Sequence, residues 1–110
     1  PVGLGTAAAV KERGNAYIIG VDTDWTVSAS EYADITLTSV LKKLDVTVAQ
    51  AIRATAGGKF PAGVQQATLE NGGVGIADFH DFAPMVPDQV KSDLEKIMAG
   101  IISGEIKTKP

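Results

Sequence analysis

The chain has no cysteine, which excludes disulfides, thiolate nucleophiles and thiolate metal sites and leaves the redox compartment unmarked. It has a single histidine, His80, too little with no cysteine for a zinc centre or a histidine-based catalytic centre. Basic charge is scarce: the formal net charge is −3, the pI is about 5.0, and Lys42-Lys43 is the only Lys-Lys, Lys-Arg or Arg-Arg doublet. No Lys/Arg stripe exists to neutralise phosphates, so nucleic acid is not an expected partner. No window approaches the roughly eighteen apolar residues of a membrane span, and no signal peptide, lipobox, repeat or low-complexity segment occurs in the sequence. No cofactor motif is complete, and no cofactor or metal is expected.

What remains is an ordinary globular composition, 45% hydrophobic and 21% charged over 110 residues, which fits one small domain. The chain starts at Pro1 and enters glycines at once, so it is expected to be a piece of something longer. Its organising stretch is Ala16 to Trp25, a β-branched and aromatic run that stops at Asp22, Asp24 and the only tryptophan. Near-continuous hydrophobicity over Ala16–Val21 predicts a parallel strand covered on both faces. In open α/β sheets ligands sit beyond the carboxyl ends of such strands, where Asp22 falls.

Taken in order, Gly3-Leu4-Gly5 predicts a turn, with Thr6 capping a helix through Ala7–Arg13 that Gly14 closes. The segment from Asp22 to Asp34 is polar, with Trp25, Val27 and Tyr32 as anchors, and predicts a functional loop. Ile35–Val40 predicts a second strand. From Asp45, expected as an N-cap with Leu44 as a staple, Val48, Ala49, Ile52 and Ala56 share a helical face up to Gly57-Gly58. Gln65–Leu69 and Val74–Ala77 flank Asn71-Gly72, which predicts a late β-hairpin. Pro87 opens a last helix with Val90, Leu94, Ile97, Met98 and Ile101 on its apolar face, ended by Gly104.

Several motifs carry possible chemistry. Gly3-x-Gly5-x-x-Ala8, with Asp22 about nineteen residues on, has the spacing of a dinucleotide fingerprint, although the strand that should precede it is absent. A glycine turn whose amides face another ligand is the favoured reading. Asp22-x-Asp24 could hold a hard cation, but two acids do not make a calcium loop; one ligand-binding acid and one solvated or capping acid is preferred. His80, between acids in Asp78-Phe79-His80-Asp81, reads as an exposed loop histidine. Ser28, Ser30 and Ser39 have no histidine partner in sequence, so no catalytic residue is assigned. Trp25 is either a loop anchor or a stacking surface for a flat ligand. Asp22 and Lys42, at the ends of neighbouring strands, pair an acceptor with a donor and suit vicinal hydroxyls.

The runs Ile19-Gly20-Val21-Asp22-Thr23-Asp24, Leu37-Thr38-Ser39-Val40-Leu41-Lys42-Lys43-Leu44-Asp45-Val46-Thr47-Val48 and Gly72-Gly73-Val74-Gly75-Ile76-Ala77, followed by Val86-Pro87-x-x-Val90-Lys91 and Ile102-x-Gly104-Glu105-Ile106-Lys107, resemble the basic membrane protein family in order along the chain. These are substrate-binding lipoproteins of ABC importers and include purine-nucleoside receptors. The resemblance implies an α/β fold, the C-terminal portion of a type I periplasmic-binding-protein fold: a parallel sheet flanked by helices with the late hairpin, and two lobes closing around a three-segment hinge. It implies that about 1–42 and 64–110 belong mainly to the C-lobe and about 43–63 to a helix crossing to the N-lobe, whose body is absent. It also implies that Asp22 and Lys42 hydrogen-bond the ribose of a nucleoside, with the turn at Gly3 and Gly5 facing the same cleft. Where the family often has glutamine, this chain has Trp25, which leaves the ligand open.

The expected function is therefore a solute-binding component of an ABC importer that holds a nucleoside-like small molecule without chemistry, not an enzyme. Its ligand-binding candidates are Asp22, Lys42, Gly3, Gly5 and Trp25. Expected partners are the ligand, an ABC permease, and the missing N-terminal segment or another copy of the chain. The resemblance places it in the cell envelope as a periplasmic or cell-surface lipoprotein. The alternatives are an NAD(P)-binding fragment of a Rossmann-type enzyme and a ligand-sensing receptor domain.

Overall fold

The computed structural model describes residues 2–60 and 62–108. The chain divides into two compact units, one made of Pro1–Lys42 with Gly75–Ala83 and the other of Lys43–Val74 with Pro84–Pro110.

The first unit begins with helix α1, Val2–Arg13, so Gly3 and Gly5 lie inside a helix and Thr6 does not cap one. The expected glycine turn is thereby corrected. The alanines at 7 to 9 are the strongest helix formers and carry the helix on through a first turn in which each glycine costs roughly 1 kcal/mol. Gly3 also has a packing reason: a Cβ there would lie 2.9 Å from Cη2 of Trp25. Gly14, at φ +67°, ends the helix as expected, and its N–H donates to the Val10 carbonyl.

Strand β1, Ile18–Asp22, pairs in parallel with β2, Thr36–Lys42, with Asp22 opposite Leu41. Both strands start and end later than their sequence patterns predict, and each takes in a candidate residue as its last member. The parallel pairing was expected; burial on both faces was not found in this chain. Gly20 is buried, whereas Ile19 and Val21 are 58% and 52% exposed. Alternation in a strand sends neighbours to opposite faces, and here one face is uncovered.

Between the strands, the polar segment folds into a short helix α2, Trp25–Ser28, and a 3₁₀ segment, Ser30–Ile35. Apart from Ile35, the buried residues of this unit are small: Ala7, Gly20, Ala29 and Ala77, with Thr36, Thr38 and Ser39 of β2. The buried hydroxyls are partnered, as burial requires: Thr36 donates to the Tyr32 carbonyl and Thr38 to that of Ala77.

Strand β3, Val74–Ile76, completes a sheet of order β1-β2-β3. The expected hairpin is not formed, because Gln65–Leu69 is not a strand and β3 pairs with β2 instead. The Asn71 side chain accounts for this: its Oδ1 accepts from the amides of Thr68 and Gly73, and its Nδ2 donates to the Gln66 carbonyl. An asparagine that caps its own loop competes with the ladder.

In the second unit, α3 spans Leu44–Ala56. Its N-cap is Lys43, without a side-chain bond, so Asp45 lies in the first turn, where its charge favours the helix dipole, and Leu44 is the first helical residue, not a staple. Leu44, Val48 and Ile52, spaced four apart, are 68%, 56% and 63% exposed. Helix α4, Asp88–Ser103, has Pro87 as its N-cap and ends at Gly104, which is left-handed at φ +80°. Ile106 folds back so closely on Gly100 that a Cβ there would lie 2.8 Å from Cδ1 of Ile106.

Candidate functional site

The carboxyl ends of β1 and β2 bring Asp22 and Lys42 together. The Lys42 Nζ lies 2.6 Å from Asp22 Oδ1, and both side chains are about 60% exposed (62% and 60%). Parallel pairing causes this juxtaposition, since Asp22 is opposite Leu41 and Lys42 is the next residue. Asp22 has φ +79°, a left-handed conformation that side-chain-bearing residues adopt at a cost of order 1–3 kcal/mol. Aspartate tolerates it better than most residues. The arrangement presents an acceptor and a cation together at the carboxyl end of the sheet.

Trp25 is held on several sides. Its backbone N–H donates to Ser39 Oγ at 3.1 Å and its indole Nε1–H to the Val21 carbonyl at 3.0 Å. Its ring also covers Gly20, where a Cβ would lie 2.6 Å from Trp25 Cγ. Of the two sequence readings of Trp25, these contacts describe the anchor. With Gly3, Thr6, Ala7, Ile18, Ile19 and Val21, the ring borders an open apolar hollow of about 360 Å³. Gly5, by contrast, is exposed on α1 with open space where a Cβ would stand.

Asp24 is the N-cap of α2: its Oδ1 accepts from the Thr26 amide at 3.0 Å and the Thr26 hydroxyl at 2.7 Å. Its Oδ2 lies 2.7 Å from His80 Nε2. Burial by itself raises its carboxyl pKa, but the Thr26 hydroxyl, His80 and the Thr26 amide outweigh it, and the pKa is lowered from 3.8. Asp24 is thus the capping acid of the pair, as one sequence reading had it. His80 remains exposed, at φ +43° in the 3₁₀ segment His80–Phe82, yet it is engaged with Asp24. Sequence reasoning missed this pair because the partners are 56 residues apart and no spacing rule connects them.

Two of the three serines have structural partners. Ser39 is fully buried and holds Trp25; Ser28 shares a 2.7 Å hydrogen bond with the Thr23 hydroxyl and donates to the Asp24 carbonyl. Among the described residues no three or more His, Asp or Glu gather as a metal site would require, and no helix is long and apolar enough to cross a membrane.

Two parallel strands that end in an acid and a lysine, with helices beside them, make this an α/β arrangement with a charged pair at its strand ends. The comparisons agree on its kind. The chain belongs to the Bmp family, PnrA-like ABC transporter substrate-binding proteins, whose description matches residues 1–109. It is 32% identical over 98 residues to the "CD4+ T-cell-stimulating antigen" of Listeria innocua serovar 6a, covering 83% of this chain and 27% of that protein. It superposes with a TM-score of 0.72 and 25% identity on a crystal structure of ABC transporter system solute-binding proteins from Aeropyrum pernix K1, covering 94% of this chain and 36% of that one. The chain therefore spans about a quarter to a third of the length of these relatives. Its family is one of ABC transporter substrate-binding proteins.

Proposed function

We propose that this chain is the C-terminal portion of the solute-binding component of an ABC importer, in which Asp22 and Lys42 grip the hydroxyls of a nucleoside-like ligand and no chemistry follows. The observation that carries the reading is the Asp22–Lys42 pair at adjacent parallel strand ends, where a carboxylate accepts from one vicinal hydroxyl and an ammonium donates to the other. In this reading the first lobe lies outside the chain, residues of about 1–42 and 64–110 belong to the C-lobe, and about 43–63 cross between lobes. The exposed face of Leu44, Val48 and Ile52 supports it, since an apolar stripe of that kind is ordinarily covered. The permease is the macromolecular partner, and the compartment is the cell envelope, with a lipid anchor on the intact protein.

Calorimetry on the full reading frame that carries this chain, with adenosine, guanosine, inosine and free ribose, tests the proposal. Nucleoside binding that Lys42→Met weakens, with the nucleoside recovered intact, is the expected result. Failure of all four to bind overturns the ligand, and protein-dependent release of free base overturns the absence of chemistry.

A further inference from the structure

Asp22 occupies a left-handed backbone region that is uncommon for a residue with a side chain, even for aspartate, and that surrounding contacts help to hold. Its φ is set by the orientation of the planar Val21–Asp22 peptide, and the Val21 carbonyl lies in that plane. That carbonyl accepts the indole N–H of Trp25 at 3.0 Å. The indole is in turn immobilised: the Trp25 backbone N–H is bonded to the fully buried Ser39 hydroxyl, and its ring packs where Gly20 and Gly3 have no side chain. Asp24, capping α2, fixes the turn from which Trp25 springs. Ser39 lies on β2, the strand that ends at Lys42, so one strand both presents Lys42 and anchors the group that orients Asp22.

We infer that Trp25 is a positioning residue: through its Nε1–H bond to the Val21 carbonyl it locks the peptide that turns the Asp22 carboxylate toward Lys42. An indole has one donor, and here it is committed to the backbone, so Trp25 acts on a ligand through Asp22 and not by donating to it. The consequence for affinity rests on the ligand reading proposed above; the conformational claim does not.

Both parts can be measured in the full reading frame that carries this chain. In the ligand-free, isotope-labelled protein, the one-bond Cα–Hα coupling of Asp22 separates positive from negative φ. Trp25→Phe keeps an aromatic ring and loses the donor, and should move that coupling away from its positive-φ value. Replacing Trp25 with benzothienylalanine, which keeps the fused ring and lacks the N–H, gives the same test should Trp25→Phe fail to fold. An Asp22 coupling unchanged in the folded variant overturns the inference. For nucleoside affinity, Trp25→Phe should cost about 3- to 10-fold, the loss of one neutral hydrogen bond, and should cost nothing further in an Asp22→Ala background. Additive losses mean that Trp25 touches the ligand itself and overturn the positioning role. If the unmodified protein binds no nucleoside, the proposed function falls, while a shifted Asp22 coupling still supports the positioning of Asp22 by Trp25.

Discussion

Asp22 and Asp24 stand on either side of Thr23, yet the fold treats them oppositely. Asp22 ends a strand, is well exposed, takes a left-handed backbone and pairs with Lys42. Asp24 starts a helix, is 24% exposed at its side chain, and is bonded to Thr26 twice and to His80 once. A carboxylate whose acceptor positions are taken up by its own fold contributes to stability, whereas one that faces a single flexible cation keeps acceptor capacity, which the proposed function assigns to a ligand. Identical side chains thus meet different surroundings, and the difference lies in how many donors the backbone and neighbouring side chains supply.

The contrast can be broken by experiment. The largest effect expected is on binding: in the proposed function the exposed Asp22–Lys42 pair is desolvated only when the lobes close on the ligand, and Asp22→Ala in the full reading frame should then weaken nucleoside affinity roughly 30- to 4,000-fold, about 2–5 kcal/mol. An equal or larger loss of affinity in a folded Asp24→Ala protein would reverse the assignment. Next in size is stability: Asp24→Ala removes the N-cap and the partner of His80 and should lower unfolding free energy by about 1–3 kcal/mol. Denaturant titration reads this directly, and an unchanged midpoint would mean that the cap and the His80 bond contribute nothing.

Acid titration sharpens the same comparison. Because the folded-state pKa of Asp24 lies below 3.8, the unfolded chain binds its proton more readily than the folded one. Its contribution is therefore fully present above about pH 4 and fades as the pH falls through the folded pKa. Asp24→Asn should flatten part of the acid-side loss of stability. Asp34, also lowered, by the Lys11 hydrogen bond, gives a loss in the same direction that persists in the variant. The smallest effect belongs to Asp22→Asn, which removes an exposed ion pair worth at most about 1 kcal/mol and retains a residue tolerant of positive φ. Its thermal midpoint should match that of the unmodified protein within the corresponding few degrees, while its affinity drops.

The readability of the sequence follows from how local each signal is. Helix α3 and helix α4 were legible because Val48 and Ile52, or Val90, Leu94 and Ile101, repeat with the helical period, and because Gly58 and Gly104, both left-handed, follow the helix ends. The two parallel strands were legible from β-branched runs. The glycines at 3 and 5 misled, since a glycine inside a helix and a glycine in a turn are the same letter, and the ring of Trp25 that makes Gly3 necessary lies in another element. Asn71-Gly72 misled in a similar way: the dipeptide signals a tight turn, but the asparagine spends its amide on Thr68, Gly73 and Gln66, and the strand beyond it pairs elsewhere.

The sequence by itself determined the class of the protein: an acidic, cysteine-free α/β chain with ordered motifs resembling a family of solute-binding proteins, and an acid and a lysine at two strand ends. Those are properties of composition and local pattern, which survive without coordinates. Only the tertiary structure decided that Lys42 meets Asp22, that Asp24 instead caps a helix and holds His80, and that the single tryptophan spends its N–H on the peptide before Asp22. Each of these depends on groups that parallel pairing or chain reversal brings together from distant positions, and hydrogen bonding acts through a few ångströms of space, not through separation along the chain.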